Sequence, residues 1–303
     1  MTNELVCVGH ASVDHHFEID AFPARPTKTP ASSYRMIVGG MAANAAIAGT
    51  RLGAAVRLIG RVGDDAAGAF VRGELRALGL ARCLLEPVAG ASTSVSSVVV
   101  DAQGERQIFN HRGSALSRAH ALDVSLLDGA RALLVDPRWV PGAEAALRWA
   151  QTREVLSVLD ADVAPRPDLA RLVPLARWAV FSEAGLQVFA PGLPLEAGLR
   201  AAVRCGARVA MVTLGAHGVA WTHGEGIERL GGFVVQPVDT TGAGDVFHGA
   251  LTLALGERMP ERDAVRFASA AAALKCERRP GVLGTPGRQE VERYLARQVD
   301  RAN

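Results

Sequence analysis

The sequence predicts an α/β fold: a doubly wound, mostly parallel sheet with helices on both faces, plus a small β-sheet appended to it. Three observations carry this. From about residue 130 onward, short apolar runs alternate with helical stretches, the βαβα order that builds a parallel sheet. Residues 5–9 and 56–60 are nearly continuous apolar runs ending at Gly9 and Gly60, as buried strands do. Residues 12–19, 93–100 and 106–111 instead alternate polar with apolar, the pattern of half-exposed strands, which are expected to project as a small antiparallel sheet.

Taken in order, the first strand ends at Gly9, and Asp14 follows just beyond it, where open α/β sheets bind ligands. A turn-forming aspartate is the plainer reading of Asp14. Residues 23–30 form a loop and 33–38 a strand. Gly39 and Gly40 then lead into an alanine-rich helix ending at Gly53, which should pack very close to its neighbours. Asn44 inside that helix is costly unless exposed or bonded, so it is a candidate ligand group. Asp64 and Asp65 cap a helix over 66–78, and residues 101–104 turn the 93–100/106–111 hairpin. Strands follow at 132–135, 155–159, 179–181 and 209–213, with helices at 143–150 and 195–205. Residues 214–218 turn into an antiparallel strand over 219–221. Helices are expected over 261–275 and 288–299, with a loop at 279–284 between them. No repeat, linker or low-complexity tract divides residues 1–303, so one domain is expected.

Composition narrows the function. Hydrophobic residues make up 49% and charged residues 21%, ordinary for a globular protein, and the net charge of +2 points to neither nucleic acid nor an acidic membrane. No run approaches the length of a membrane span, and the opening apolar run is too brief for a signal peptide. The four cysteines (Cys7, Cys83, Cys205, Cys276) lack metal-site spacing and read as reduced, mostly core thiols of a cytoplasmic protein.

The chemistry concentrates in residues 237–251. Two threonines and two glycines there precede an apolar helical run, with Thr240 or Thr241 a candidate N-cap. Free amides and the helix dipole make such a start an anion site. Asp245 sits in its first turn, either as a dipole partner or as a base aimed at whatever the anion reacts with. Neither the GxGxxG fingerprint of dinucleotide sites nor the GxxxxGK[ST] of P-loop kinases occurs here.

Asp239 through Asp245, the segment from Gly39-Gly40 to Gly53, and Gly60-x-x-Gly63-Asp64-Asp65-x-x-Gly68 together resemble the ribokinase (PfkB) family of carbohydrate kinases along essentially the whole chain. The resemblance implies a ribokinase-like fold whose small sheet, at about 12–20, 33–38 and 93–112, is a lid that pairs two subunits in a homodimer. It implies ATP and Mg²⁺ as cofactors, with Asp245 as the base for a primary sugar hydroxyl. Amides of Gly242, Ala243 and Gly244 would hold the transferred phosphoryl group. Asp14, Gly39, Gly40 and Asn44 match sugar-binding positions. Thr213, Gly215 and Gly218 match the turn under the nucleotide. Thr241, Lys275 and Gly281 lie in its other matching segments, the last two in the stretch resembling the adenine-pocket wall (274–284). Asp239 and the Thr241 carbonyl match a K⁺ site of some members. One departure stands out: Ser182 and Gly185 replace the Asn-x-x-Glu pair that orders Mg²⁺ waters in many members, as ketohexokinase-like members also do.

A closer resemblance is to the sulfofructose kinase branch, on the segments 135–139, 158–162, 181–183, 239–250, 265–269 and 273–276. It implies phosphorylation of 6-deoxy-6-sulfofructose at its 1-hydroxyl, with Lys28, Asn110 and Arg138 on the sulfonate. A permanent anion needs cations and amide donors of this kind. A neutral ketose (fructokinase or ketohexokinase activity), a keto-deoxy-sugar acid, and a catalytically silent sugar- or nucleotide-binding regulator stand as alternatives.

Overall fold

Residues 4–9 of β1 (Glu4–His10) are all buried, which places this strand inside a sheet covered on both faces. The computed structural model describes residues 4–116, 121–278 and 281–300. Around β1 stand β4 (Ala55–Gly63), β5 (Arg82–Val88), β8 (Ala130–Val135), β9 (Leu156–Ala161), β10 (Trp178–Ser182), β11 (Val209–Thr213), β12 (Val219–Thr222) and β13 (Glu228–Leu230). Their order is β13-β12-β11-β10-β9-β8-β1-β4-β5, parallel except for the antiparallel β12 and β13. Side chains of β1 alternate between two cores. Leu5 and Cys7 join one, with α1 (Met41–Arg51), α7 (Ala243–Gly256) and α8 (Glu261–Cys276); Val6 and Val8 join the other, with α3 (Val140–Thr152) and α6 (Leu195–Cys205). Each fully buried Leu or Val contributes roughly 1.5–3 kcal/mol to this arrangement.

The second sheet runs β3-β2-β6-β7, from β2 (Ser12–Glu18), β3 (Ser33–Gly39), β6 (Ser94–Val100) and β7 (Arg106–His111). It is not wholly antiparallel as expected, because β2 pairs with β6 in parallel, Ser12 against Ser94 through Glu18 against Val100. Both strands leave the same edge of the main sheet, β2 directly after β1 and β6 shortly after β5, so they must run the same way.

The remaining helices are α2 (Ala66–Ala77), α4 (Arg166–Leu172), α5 (Glu183–Phe189) and α9 (Arg288–Asp300). As expected, Asp65 caps α2, accepting from the Gly68 amide at 2.8 Å. Four elements lack a readable sequence pattern. The edge strand β5 carries charges and Pro87, β13 has three residues, and α4 and α5 span under two turns each. Cysteine burial also differs from expectation: all four are free, and only Cys7 is buried. Arg279 and Pro280, placed in the loop before α9, lie outside the described residues.

Candidate active site

Parallel strands end together, so their C-terminal loops share one edge of the sheet. There the chain leaves β1 at His10, β8 at Asp136, β9 at Asp162 and β10 at Ser182, facing the lid strands across a cavity of about 800 Å³. Asp136 ties this edge together. Its carboxylate accepts from the amides of His10 (2.7 Å), Ala42 (3.1 Å) and Arg138 (2.9 Å), joining β1, α1 and the loop after β8.

One end of the cavity is formed where α7 begins. Gly242, not a threonine, is its N-cap, at φ 74°, a left-handed conformation that disfavours side chains. The threonines are otherwise engaged. The Thr241 amide donates to Asp239 Oδ1 (2.8 Å), and Thr240 accepts from the Ala243 amide (3.2 Å) and from Arg106 of the lid (3.0 Å). The amides of Gly244 and Asp245 have no acceptor within the helix, and no side chain caps them. No atom lies within 4 Å of where a Gly244 Cβ would stand, so this turn opens onto space rather than protein.

Asp245 faces that space held by Asn44, whose Nδ2 donates to its Oδ2 at 2.6 Å. The helix composition explains the contact. α1 is nearly all alanine where it meets α7, and a Cβ on Gly249 would lie 2.6 Å from the Ala45 carbonyl, so the two backbones touch. Only such an approach brings the short Asn44 side chain to Asp245. Burial, with the nearby Asp160 charge, raises the Asp245 carboxyl to about 8, while Asn44 pulls the other way. Asp160 itself is 2% exposed, its Oδ1 has no hydrogen-bond partner, and burial raises it well above the usual carboxylate range. Behind Asp245, His248 donates from Nδ1 to the Gly244 carbonyl (2.7 Å) and lies 3.5 Å from Asp160.

The middle of the cavity holds the predicted sugar-facing groups. Asp14 lines it from β2, its carboxyl raised by burial. A Cβ on Gly39 would lie 2.2 Å from Asp14 Oδ2, so glycine there is what leaves the carboxylate room. Gly40 and Asn44 line the same wall, and Asn44 Oδ1 has no protein partner. Asn110 reaches in from β7, donating to Ser96 Oγ at 3.1 Å.

Three arginines also line the cavity. Arg138, Arg61 and Arg112 all stand near His10. Arg61 stacks over Trp139 at 4.6 Å and donates to the Leu116 carbonyl at 2.8 Å. Its burial lowers the guanidinium to about 10, so it stays charged at neutral pH. Arg138 Nη1 is buried without a hydrogen-bond partner. Lys28, expected with Arg138, stands elsewhere: it is exposed on the loop between β2 and β3 and is not among the cavity's lining residues. Arg61 gave no motif in the sequence. Asp136 did leave a signal, since Asp-Pro before a short helical turn is an N-cap pattern.

Of the residues expected to contact the nucleotide, Thr213 ends β11, and Gly215 and Gly218 bracket the turn that follows it. Lys275 and Gly281 do not face outward as nucleotide contacts would. Lys275 is wholly buried against Asp239, and the Gly281 amide donates to Asp239 Oδ2 (2.7 Å). Ser182 and Gly185 are also committed. Ser182 caps α5, accepting from the Gly185 amide (2.9 Å), and its Oγ donates to Asp162 Oδ1 (2.7 Å). That leaves Asp162, which lines the cavity with Asp245, as the oxygen group beside the unpartnered Asp160 Oδ1.

The model of the pfkB family of carbohydrate kinases matches residues 2–286. The chain belongs to that family. Within it, the chain is 29% identical to the ribokinase of Bacillus subtilis, over 96% of this chain and 99% of that one. It superposes on a crystal structure of a candidate ribokinase from Agrobacterium tumefaciens with a TM-score of 0.93 and 32% identity, covering 99% of both chains. Arabidopsis thaliana ribokinase, solved with ribose and ATP, shares the fold at a TM-score of 0.84 and 24% identity, over 97% of this chain and 99% of that one. The protein is a sugar kinase. No helix among the described residues is long and apolar enough to cross a membrane.

Proposed function

We propose that the protein transfers the γ-phosphoryl group of ATP to the primary hydroxyl of a ketose carrying an anionic tail, with 6-deoxy-6-sulfofructose the favoured substrate and its 1-phosphate the product. The observation behind this reading is a single cavity lined both by Asp245 with the start of α7 and by three arginines, Arg61, Arg112 and Arg138. A sugar held by Asp14 and Asn110 lies within reach of both sets of groups. Asp245 accepts the hydroxyl proton as the oxygen attacks the γ-phosphorus and the bond to the β-phosphate oxygen breaks, releasing ADP. Asn44 holds the carboxylate in line, and the Gly242–Gly244 turn meets the developing charge. Asp162 and Asp160 are the oxygen groups that would hold the waters of an Mg²⁺ ion brought by ATP, which would supply neutralisation of the phosphate charge. Thr213, Gly215 and Gly218 border the nucleotide.

Coupled ADP release measured over ribose, fructose, sulfofructose and a keto-deoxy-sugar acid tests the reading. The expected result is the highest kcat/KM on sulfofructose; equal values on fructose would remove the sulfonate assignment in favour of a neutral ketose. Absence of turnover with every sugar would favour a binding regulator. The outer face of the lid also exposes Tyr34 (54%) and Phe109 (60%), which supports a homodimer formed through this sheet. Light scattering on the intact protein should give twice the chain mass, and Phe109→Lys should halve it.

A further inference from the structure

Asp239 is the residue that the family resemblance matches to a K⁺ site of some members, yet a cation of the protein's own already occupies its surroundings. The Lys275 side chain is wholly buried at the end of α8, with Nζ 2.6 Å from the Asp239 carbonyl and 3.6 Å from its Oδ1. The same carboxylate accepts the amides of Thr241 (2.8 Å) and Gly281 (2.7 Å), so both of its oxygens are committed. The Val238 and Asp239 amides donate in turn to the Cys276 carbonyl, at 2.7 and 3.0 Å. A K⁺ ion on these oxygens would meet an ammonium group already seated there, and the residues present do not fit it.

We infer that the Lys275 ammonium is a built-in cation that shapes the 238–242 turn, so that phosphoryl transfer needs no added K⁺. Lys275 is thereby a positioning residue. Two bonds separate it from the chemistry: it anchors Asp239, Asp239 fixes the Thr241 amide, and the next residue is the left-handed Gly242 that starts α7 and aims its first amides. A buried charge left alone is costly, so removing either partner should disturb the turn rather than merely loosen it.

The inference rests on the phosphoryl-transfer reading above, and its test separates the two. In turnover assays with K⁺, Na⁺ or tetramethylammonium chloride at equal ionic strength, the wild-type kcat should change less than about twofold; K⁺ activation of about tenfold or more would overturn the inference. Lys275→Ala should lose kcat by about 10²-fold, as misplacement by an ångström does, with smaller changes in KM. Ammonium or K⁺, but not tetramethylammonium, should restore part of that loss. A folded variant that no small cation rescues would mean a purely structural lysine and would also overturn the inference. Should the variant not fold, thallium-205 NMR of the wild type still decides: Tl⁺ binding at this site contradicts a built-in ammonium, and its absence supports one. The thallium measurement involves no sugar, so it stands even if turnover is found with none of the substrates above.

Discussion

Residues 239–245 form one unbroken segment, whereas Arg61, Arg112 and Arg138 reach the same cavity from β4, from the chain after β7 and from the turn after β8. On the proposed reading the difference separates two tasks. Charge handling in the transferred group would depend on amides fixed by a left-handed glycine and a committed Asp239 carboxylate, which side-chain substitutions alter little. Tail recognition would depend on side chains from separate elements, each of which can change without disturbing the others. A kinase built this way keeps its reaction while its sugar varies.

The contrast yields graded expectations. The largest effect should come from Asp245→Asn, which removes the base: kcat should fall by about 10²–10⁴-fold with sugar KM little changed, measured by ADP release. A loss confined to KM would place the base elsewhere. Next, Asn44→Leu takes away the hydrogen bond that lowers the Asp245 carboxyl. A drop in kcat of about tenfold or more is expected. The pH profile sharpens this. With the carboxyl at about 8, kcat/KM should climb toward pH 8 and level above it, and in Asn44→Leu the rising limb should move to higher pH.

Among the arginines, Arg138→Ala should raise KM for an anionic sugar by roughly tenfold, leaving neutral sugars unaffected. An equal loss on fructose would mean that the arginine shapes the loop rather than reading charge. The smallest effect concerns stability. A carboxyl raised in the folded state opposes folding once the unfolded chain ionises, so its contribution is favourable below about pH 4 and is lost progressively up to about pH 8. Asp245→Asn should therefore raise the melting temperature near pH 8 by roughly 2–4 °C and leave it unchanged near pH 4, as calorimetry would show.

Most strands and helices of the main sheet, β5, β13, α4 and α5 excepted, were legible in the chain, as were the capped α2, the lid hairpin and the kinase family. Each is written in local periodicity or in a contiguous motif, and local pattern is what a linear sequence carries. The parallel β2–β6 pair was not legible, because alternation shows that a strand is half-exposed and says nothing of its neighbour's direction. Lys28 and Arg138 looked like partners by their charge, yet one is out on a loop and the other lines the cavity, a distinction made by the path of the loop alone.

Residues 239–245, read together with the segments from Gly39 to Gly53 and from Gly60 to Gly68, were enough in the sequence to mark a carbohydrate kinase, since each is a contiguous motif. Tertiary structure decided what surrounds them. It set Asn44 against Asp245 across 201 positions, through two helices of small residues packed backbone to backbone. It turned Lys275 inward onto Asp239, and it gathered three arginines distant in sequence into the lining of one cavity. Those contacts depend on how closely elements pack, a property of side-chain volumes summed over the whole core and not of any one segment.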